Sequence, residues 1–300
     1  MSWPGGLGTE LFVEGRARDL FTPAEGDARV LAAAELTALT GRERDIQRIE
    51  ADPHVDGIDR LVGRSAGSGL RKAIAAELPG EVEAGTPLHL LLDDLAGATL
   101  IAGYTYFRWS EVYPEIRRRI ENGPARVMEG TCAGFRPGSS GLRPDGTLLR
   151  VGQNTARTGP LDDPDDPLGW HELHEHPDVA IRRARRIDVW AHDGRVDIDA
   201  MFRDSLWTPE GHEEVLHEYQ LLGAADRSTG VLRAMTAVPR VLPYAECPGA
   251  APNAAWLVGT DVRALRSTVL ERLRATDCCT HLNDGLRSLA EVPVLAAALP

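Results

Sequence analysis

The clearest regular pattern in the chain runs from residue 187 to residue 237, where apolar and polar positions alternate. Ile187 to Trp190, a turn at His192-Asp193-Gly194, and Val196 to Met201 read as a hairpin. Val215 to Leu222 predicts a third strand and Val231 to Ala237 a fourth, joined through Asp226-Arg227-Ser228-Thr229-Gly230. In the third strand a period of two puts Val215, His217, Tyr219 and Leu221 on one face and Glu218 on the other. The period then lengthens. After the irregular PRVLPYAECPGA, Asp261 caps a helix running to Ala275, with Val262, Leu265, Val269 and Leu273 as its inner stripe. A last helix starts near Thr280 and buries Leu282, Leu286 and Leu289.

The first half of the chain echoes this order. Residues 19–36, DLFTPAEGDARVLAAAEL, parallel residues 204–221, DSLWTPEGHEEVLHEYQL; Asp19 answers Asp204 and Val30 answers Val215, each 185 positions on. Leu61-Val62-Gly63 matches Leu257-Val258-Gly259, Leu70-Arg71 matches Leu265-Arg266, and His89-Leu90 matches His281-Leu282. A repeat of this length reads as a duplicated domain. It also decides one conflict. Val30 to Leu39 is alanine-rich and helical by propensity, but its counterpart alternates, so a strand is expected. Residues 65–78 read as a helix, GTPLHLLLDDLAGATLIAGY as a buried helix or strand, and EVYPEIRRRIENG as a short surface helix. Residues 137–169 are rich in Gly, Pro and Asp and read as a linker or mobile flap. The expected fold is α+β, with two tandem copies of an antiparallel meander followed by helices forming a pseudo-dimer. The expected domains are a degenerate first copy at 10–105, a linker or flap at 106–180, and a second copy at 181–300.

Composition narrows the function. A formal charge of −12 argues against nucleic acid and anionic membrane as partners. The basic residues are nearly all arginine, with Lys72 the single lysine, so arginine-rich stretches reflect codon usage and carry little functional weight. No apolar run reaches the roughly 18 residues of a membrane span, and the N-terminus lacks the pattern of a signal peptide. A cytoplasmic location is expected, with the four cysteines as thiols or metal ligands rather than disulfides.

The candidate chemistry concentrates near the C-terminus, in Cys278-Cys279-Thr280-His281-Leu282-Asn283-Asp284. Cys279 precedes the last helix, where amide groups and the helix dipole lower a thiol's pKa. His281 and Asp284, three residues apart, share a face. Cys247 comes from a loop that the fold brings nearby. Cys279, His281, Asp284 and His217 are therefore the candidate catalytic residues. Cys247, Cys279 and His281 are the candidate metal ligands, for zinc or an iron–sulfur centre. Arg287, Tyr219 and Tyr244 are the candidate binding residues, with Arg287 favoured as a structural partner of Asp284. The first copy carries Ala32 where the second has His217, and Pro87 where it has Cys279. The segment HELHEH, with His171, His174 and His176, lacks the HExxH spacing and reads as a solvated acidic stretch.

The run from His217-Glu218-Tyr219 through Pro243-Tyr244 and Glu246-Cys247-Pro248 to Cys279-Thr280-His281-Leu282 resembles a bacterial family of unknown function with a Cys-Thr-His-Leu tail, over residues 180–290. The order of strands, cysteine, helix and cysteine also resembles, at the level of fold, iron–sulfur scaffold proteins of the NifU type, whose middle cysteine has no counterpart here. The leading expectation is an enzyme acting on a small acyl or carboxylate molecule, a thiol- or metal-dependent hydrolase or transferase. Two alternatives stand beside it: a non-catalytic metal or iron–sulfur carrier, and a pseudo-dimer that binds a partner.

Overall fold

Strand ladders and the helices behind them account for most of the chain. A computed structural model describes residues 1–149, 153–176 and 178–300. The chain divides into two units. The first comprises Met1–Ile116 with Glu175–Ile181, and the second Arg117–His174 with Arg182–Pro300.

In the first unit, β1 (Leu11–Phe21), β2 (Arg29–Thr40) and β3 (Ile46–Asp52) form an antiparallel meander. The alanine-rich stretch is thus a strand. Its inward positions Ala34, Leu36 and Ala38 are buried while their neighbours are more exposed, so pairing on both edges overrides helix propensity. Three helices follow: α1 (Leu70–Glu77), α2 (Pro79–Ala84) and α3 (Pro87–Arg108). The long apolar segment open to either reading is the helix α3. Thr86 caps it by accepting from the His89 N–H at 3.1 Å, and proline occupies its first position. It packs on β1 at Gly15, where a Cβ would come within 3.0 Å of Leu91. The surface helix α4 spans Pro114–Asn122.

In the second unit, β4 (Ile181–His192), β5 (Arg195–Trp207), β6 (Glu213–Asp226) and β7 (Leu232–Val241) form a four-stranded sheet in sequence order. Asp193 and Gly194 both have positive φ, at 47° and 74°, as the tight β4–β5 turn requires. After the sheet come α5 (Leu265–Arg272), α6 (Thr280–Ser288) and α7 (Val292–Ala297). The architecture is therefore α+β, with two antiparallel meanders and helices, consistent with two tandem copies. Asp19 pairs with Ala32 just before a bulge in β1–β2, and Asp204 pairs with His217 just before a bulge in β5–β6.

The core of this unit is built from Val196, Ile198, Ala200 and Phe202 of β5, Tyr219 and Leu221 of β6, and Leu282, Leu286 and Leu289 from α6 and the turn after it. Gly285 lets α6 settle on the sheet, since a Cβ there would lie 3.2 Å from Leu221 and 3.8 Å from Phe202. The segment read as a linker lies in this unit from 117 to 174. Ser140 donates to Glu246 through its N–H and its hydroxyl, and Ala156 bridges to Val215. Part of that expectation falls on residues 150–152 and 177, outside the described residues.

Candidate metal centre

Strand β5 alternates cleanly, so Val196, Ile198, Ala200 and Phe202 point inward and Asp204 comes next on the same face. It is fully buried. A bare carboxylate in that position is costly and needs partners. Arg183 on β4 supplies them. Its Nε donates to Asp204 Oδ1 at 2.8 Å and its Nη2 to Oδ2 at 2.9 Å, the bidentate fork that suits a carboxylate. Arg183 also donates to Asp284 Oδ2 at 3.2 Å and lies 5.4 Å over the Phe202 ring. One guanidinium therefore ties a strand carboxylate to a helix carboxylate.

His217 stands opposite Asp204 in the ladder, with Leu216 as the extra residue of the bulge. Bulges of this kind re-aim side chains at functional sites. The His217 Nδ1 lies 3.9 Å from Asp204 Oδ2. His281, from the first turn of α6, stacks on His217 with ring centroids 3.6 Å apart and planes at 21°. Ligand atoms of Asp204, His217 and His281 all lie within 4.8 Å of one another. Among the described residues this is the one group of three His, Cys, Asp or Glu side chains so placed.

Electrostatics favours ligand-competent imidazoles. Burial holds His217 well below the usual imidazole pKa, and the neighbouring His281 and Arg183 push it the same way. Burial also lowers His281, with Arg183 adding to the effect and Asp204 and Asp284 opposing it. Both rings are neutral near pH 7, the form that binds metal. The Nε2 of His281, a residue 8 % exposed, takes no hydrogen bond among the described residues. A buried polar atom left so is the exception in folded proteins and asks for a partner.

The sequence-read residues fall around this centre in three groups. His217, His281 and Asp284 belong to it. Arg287 sits beside Asp284 at 3.9 Å and donates to the Arg266 carbonyl. Cys279 precedes α6 as its N-cap, with the buried Tyr219 hydroxyl facing its sulfur. The lowered thiol pKa expected from the helix start is not what the structure gives. Amides of Leu282 and His281 do lower it, but burial wins and pushes the Cys279 thiol up to about 11. Cys247 and Tyr244 belong to a small apolar cluster with Phe135, whose ring is 5.2 Å from that of Tyr244, and Cys247 is close enough to Cys279 for a thiolate there to disfavour its own. Cys247 is pushed up to about 12 by burial, as is Cys278. His281 is shared by the trio read from the sequence and the trio assembled here, and the two sulfurs stand outside the latter. The segment 171–176 forms no helix, and His174 is largely exposed.

Sequence reasoning passed over Asp204 and Arg183. The signal for Asp204 is a carboxylate closing the V-x-I-x-A-x-F stripe of a strand. The signal for Arg183 is its place on the inward face of β4 with Ile181, Arg185 and Ile187. Both were readable as polar groups at core positions.

Residues 181–295 match the model of a family described as protein of unknown function (DUF2889). The match covers the four-stranded sheet and the helices packed on it. No curated protein and no solved structure matches the chain.

Proposed function

We propose that the domain of residues 181–295 binds one divalent transition-metal ion through His217, His281 and Asp204. Zinc suits two imidazoles and a carboxylate by its ligand preferences. The observation that carries this reading is the convergence of three buried ligand atoms within 4.8 Å, with both imidazoles held neutral. Arg183 would keep Asp204 oriented, since each carboxylate oxygen has a second lone pair to offer.

Three protein ligands leave a fourth coordination position, the arrangement of catalytic rather than closed structural zinc sites. The reading therefore extends to a metal-dependent hydrolase or transferase, with a small acyl or carboxylate compound as substrate. A Cys279 nucleophile fits less well, because a thiol pushed up to about 11 is protonated near pH 7.

Calorimetric titration of chelator-stripped protein with Zn²⁺ tests the proposal. Wild type should bind about one equivalent through its three ligands, and His217→Ala and His281→Ala, checked for folding by circular dichroism, should bind none. Zinc binding that survives both substitutions, or none by wild type, would overturn it.

A further inference from the structure

The metal centre leaves a second group of reactive atoms unused. Four free thiols, Cys132, Cys247, Cys278 and Cys279, lie in the second unit, and Cys132 sits outside the residues matched by the family model. It arrives on the segment 117–149. That segment is fastened at this point by the Ala133 N–H donating to the Cys278 carbonyl at 2.7 Å. Cys132 packs against both the main core and the Phe135–Tyr244–Cys247 cluster.

Gly134 fixes the distance between two of the sulfurs. A Cβ on Gly134 would lie 2.6 Å from Cys247 Sγ and 3.9 Å from Cys132 Sγ, so these sulfurs are no more than 6.5 Å apart. Glycine is required at that position, because a Cβ would collide with the Cys247 sulfur. Both sulfurs therefore face the space that the absent side chain leaves. To bond, the two side chains have to close that gap to the roughly 2.05 Å of an S–S bond.

We propose that Cys132 and Cys247 form a reversible disulfide under peroxide, which ties the segment 117–149 to the loop after β7. Cys132 is oxidised first, being the partly exposed member of the four while the others are buried. Its thiolate attacks one peroxide oxygen and the O–O bond breaks. The leaving oxygen departs as water after taking a proton, and Cys132 becomes a sulfenic acid. The Cys247 sulfur then attacks the Cys132 sulfur, the S–O bond breaks, and water leaves with the thiol proton. Two thiols lose two protons and two electrons, and one peroxide becomes two waters. Gly134 and Phe135 amides and the Thr131 hydroxyl favour the Cys132 thiolate, though burial raises its pKa overall. The reaction is accordingly slower than at a thiol held as thiolate. A disulfide of this transient kind suits a reducing compartment.

Peptide mapping of the full-length protein decides the matter. After hydrogen peroxide, alkylation of remaining thiols and non-reducing trypsin digestion, peptide 127–150 (Arg136 and Arg143 each precede proline and resist cleavage) should appear linked to peptide 241–263. Dithiothreitol should separate them. In Cys247→Ser, Cys132 should instead be trapped by dimedone as the sulfenic acid. Recovery of both peptides singly alkylated after peroxide, linkage of 127–150 to peptide 275–287, or no dimedone adduct on Cys132 would each overturn the assignment.

Discussion

A neutral histidine pair beside an arginine is an unusual thing to bury, and it sets the pH behaviour of the site. His217 and His281 are both depressed below the ordinary value of about 6.5. As pH falls through 6.5 the unfolded chain takes up protons and the folded one does not. Stability is thus full above that pH and declines below it, until the depressed folded values are reached. Zinc affinity should fall in the same direction, because the imidazoles must be free of protons. Urea titrations and zinc binding from pH 8 to pH 5 check both; stability that increases on acidification would contradict the burial argument. Asp284 acts at one remove, anchoring Arg183 at 3.2 Å. Asp284→Asn should weaken zinc affinity by about 10- to 100-fold without abolishing it, the usual effect of disturbing a group that orients a ligand. Cys279 offers a third check. Iodoacetamide should modify it slowly at pH 7 and faster toward pH 11, the reverse of an activated thiol. The sequence made His281 and Asp284 legible because the three-residue spacing puts them on one helix face. Asp204 and Arg183 were legible only as polar groups at core positions; what they pair with was not, because their partners lie on other strands and on α6, and an arginine-rich composition masks a single buried guanidinium.

Among the elements, α6 departs most from its sequence pattern. Leu282, Leu286 and Leu289 predicted one buried stripe, and they are buried. Yet every residue from His281 to Ser288 is buried, the polar ones included. The polar side is covered by the Arg183–Asp284 ion pair from β4 and by the Arg185 Nη1 contact to Ser288 Oγ at 2.9 Å. Amphipathicity marks which face is apolar and is silent on whether the other face meets solvent or a charged strand. Removing the apolar anchor should loosen the helix that carries His281. Leu286→Ala should cost about 2–5 kcal/mol, read as a lower denaturation midpoint, and reduce zinc affinity with it. The strand β2 shows the opposite case. Its propensity was misleading and the alternation of its counterpart at 215–222 was informative, because tertiary pairing decides a half-buried alanine segment. The bulges at Asp19 and Asp204 stand 185 positions apart, as a duplicated domain would show. In that alignment Ala32 stands at the place of His217, so the first meander would lack one of the proposed ligands.

At the scale of the whole molecule, the proposed chemistry belongs to one of two units. The α+β class and the succession of meander and helices followed from alternation and its change of period. The placement of residues 117–174 did not, since Gly-, Pro- and Asp-rich sequence has no periodicity to show what it packs on. Among the described residues no helix is long and apolar enough to cross a membrane. Binding to the second unit alone should leave a spatial signature. Hydrogen exchange with and without zinc should show added protection around residues 204–217 and 280–288, with β1, β2 and β3 unchanged. The most direct test of the central claim is elemental analysis by mass spectrometry of untagged protein beside its His281→Ala variant. Near-stoichiometric zinc or another divalent transition metal in the wild type, lost in a folded variant, is the result expected. Metal absent from both, or retained equally in both, would contradict a centre built on His217, His281 and Asp204.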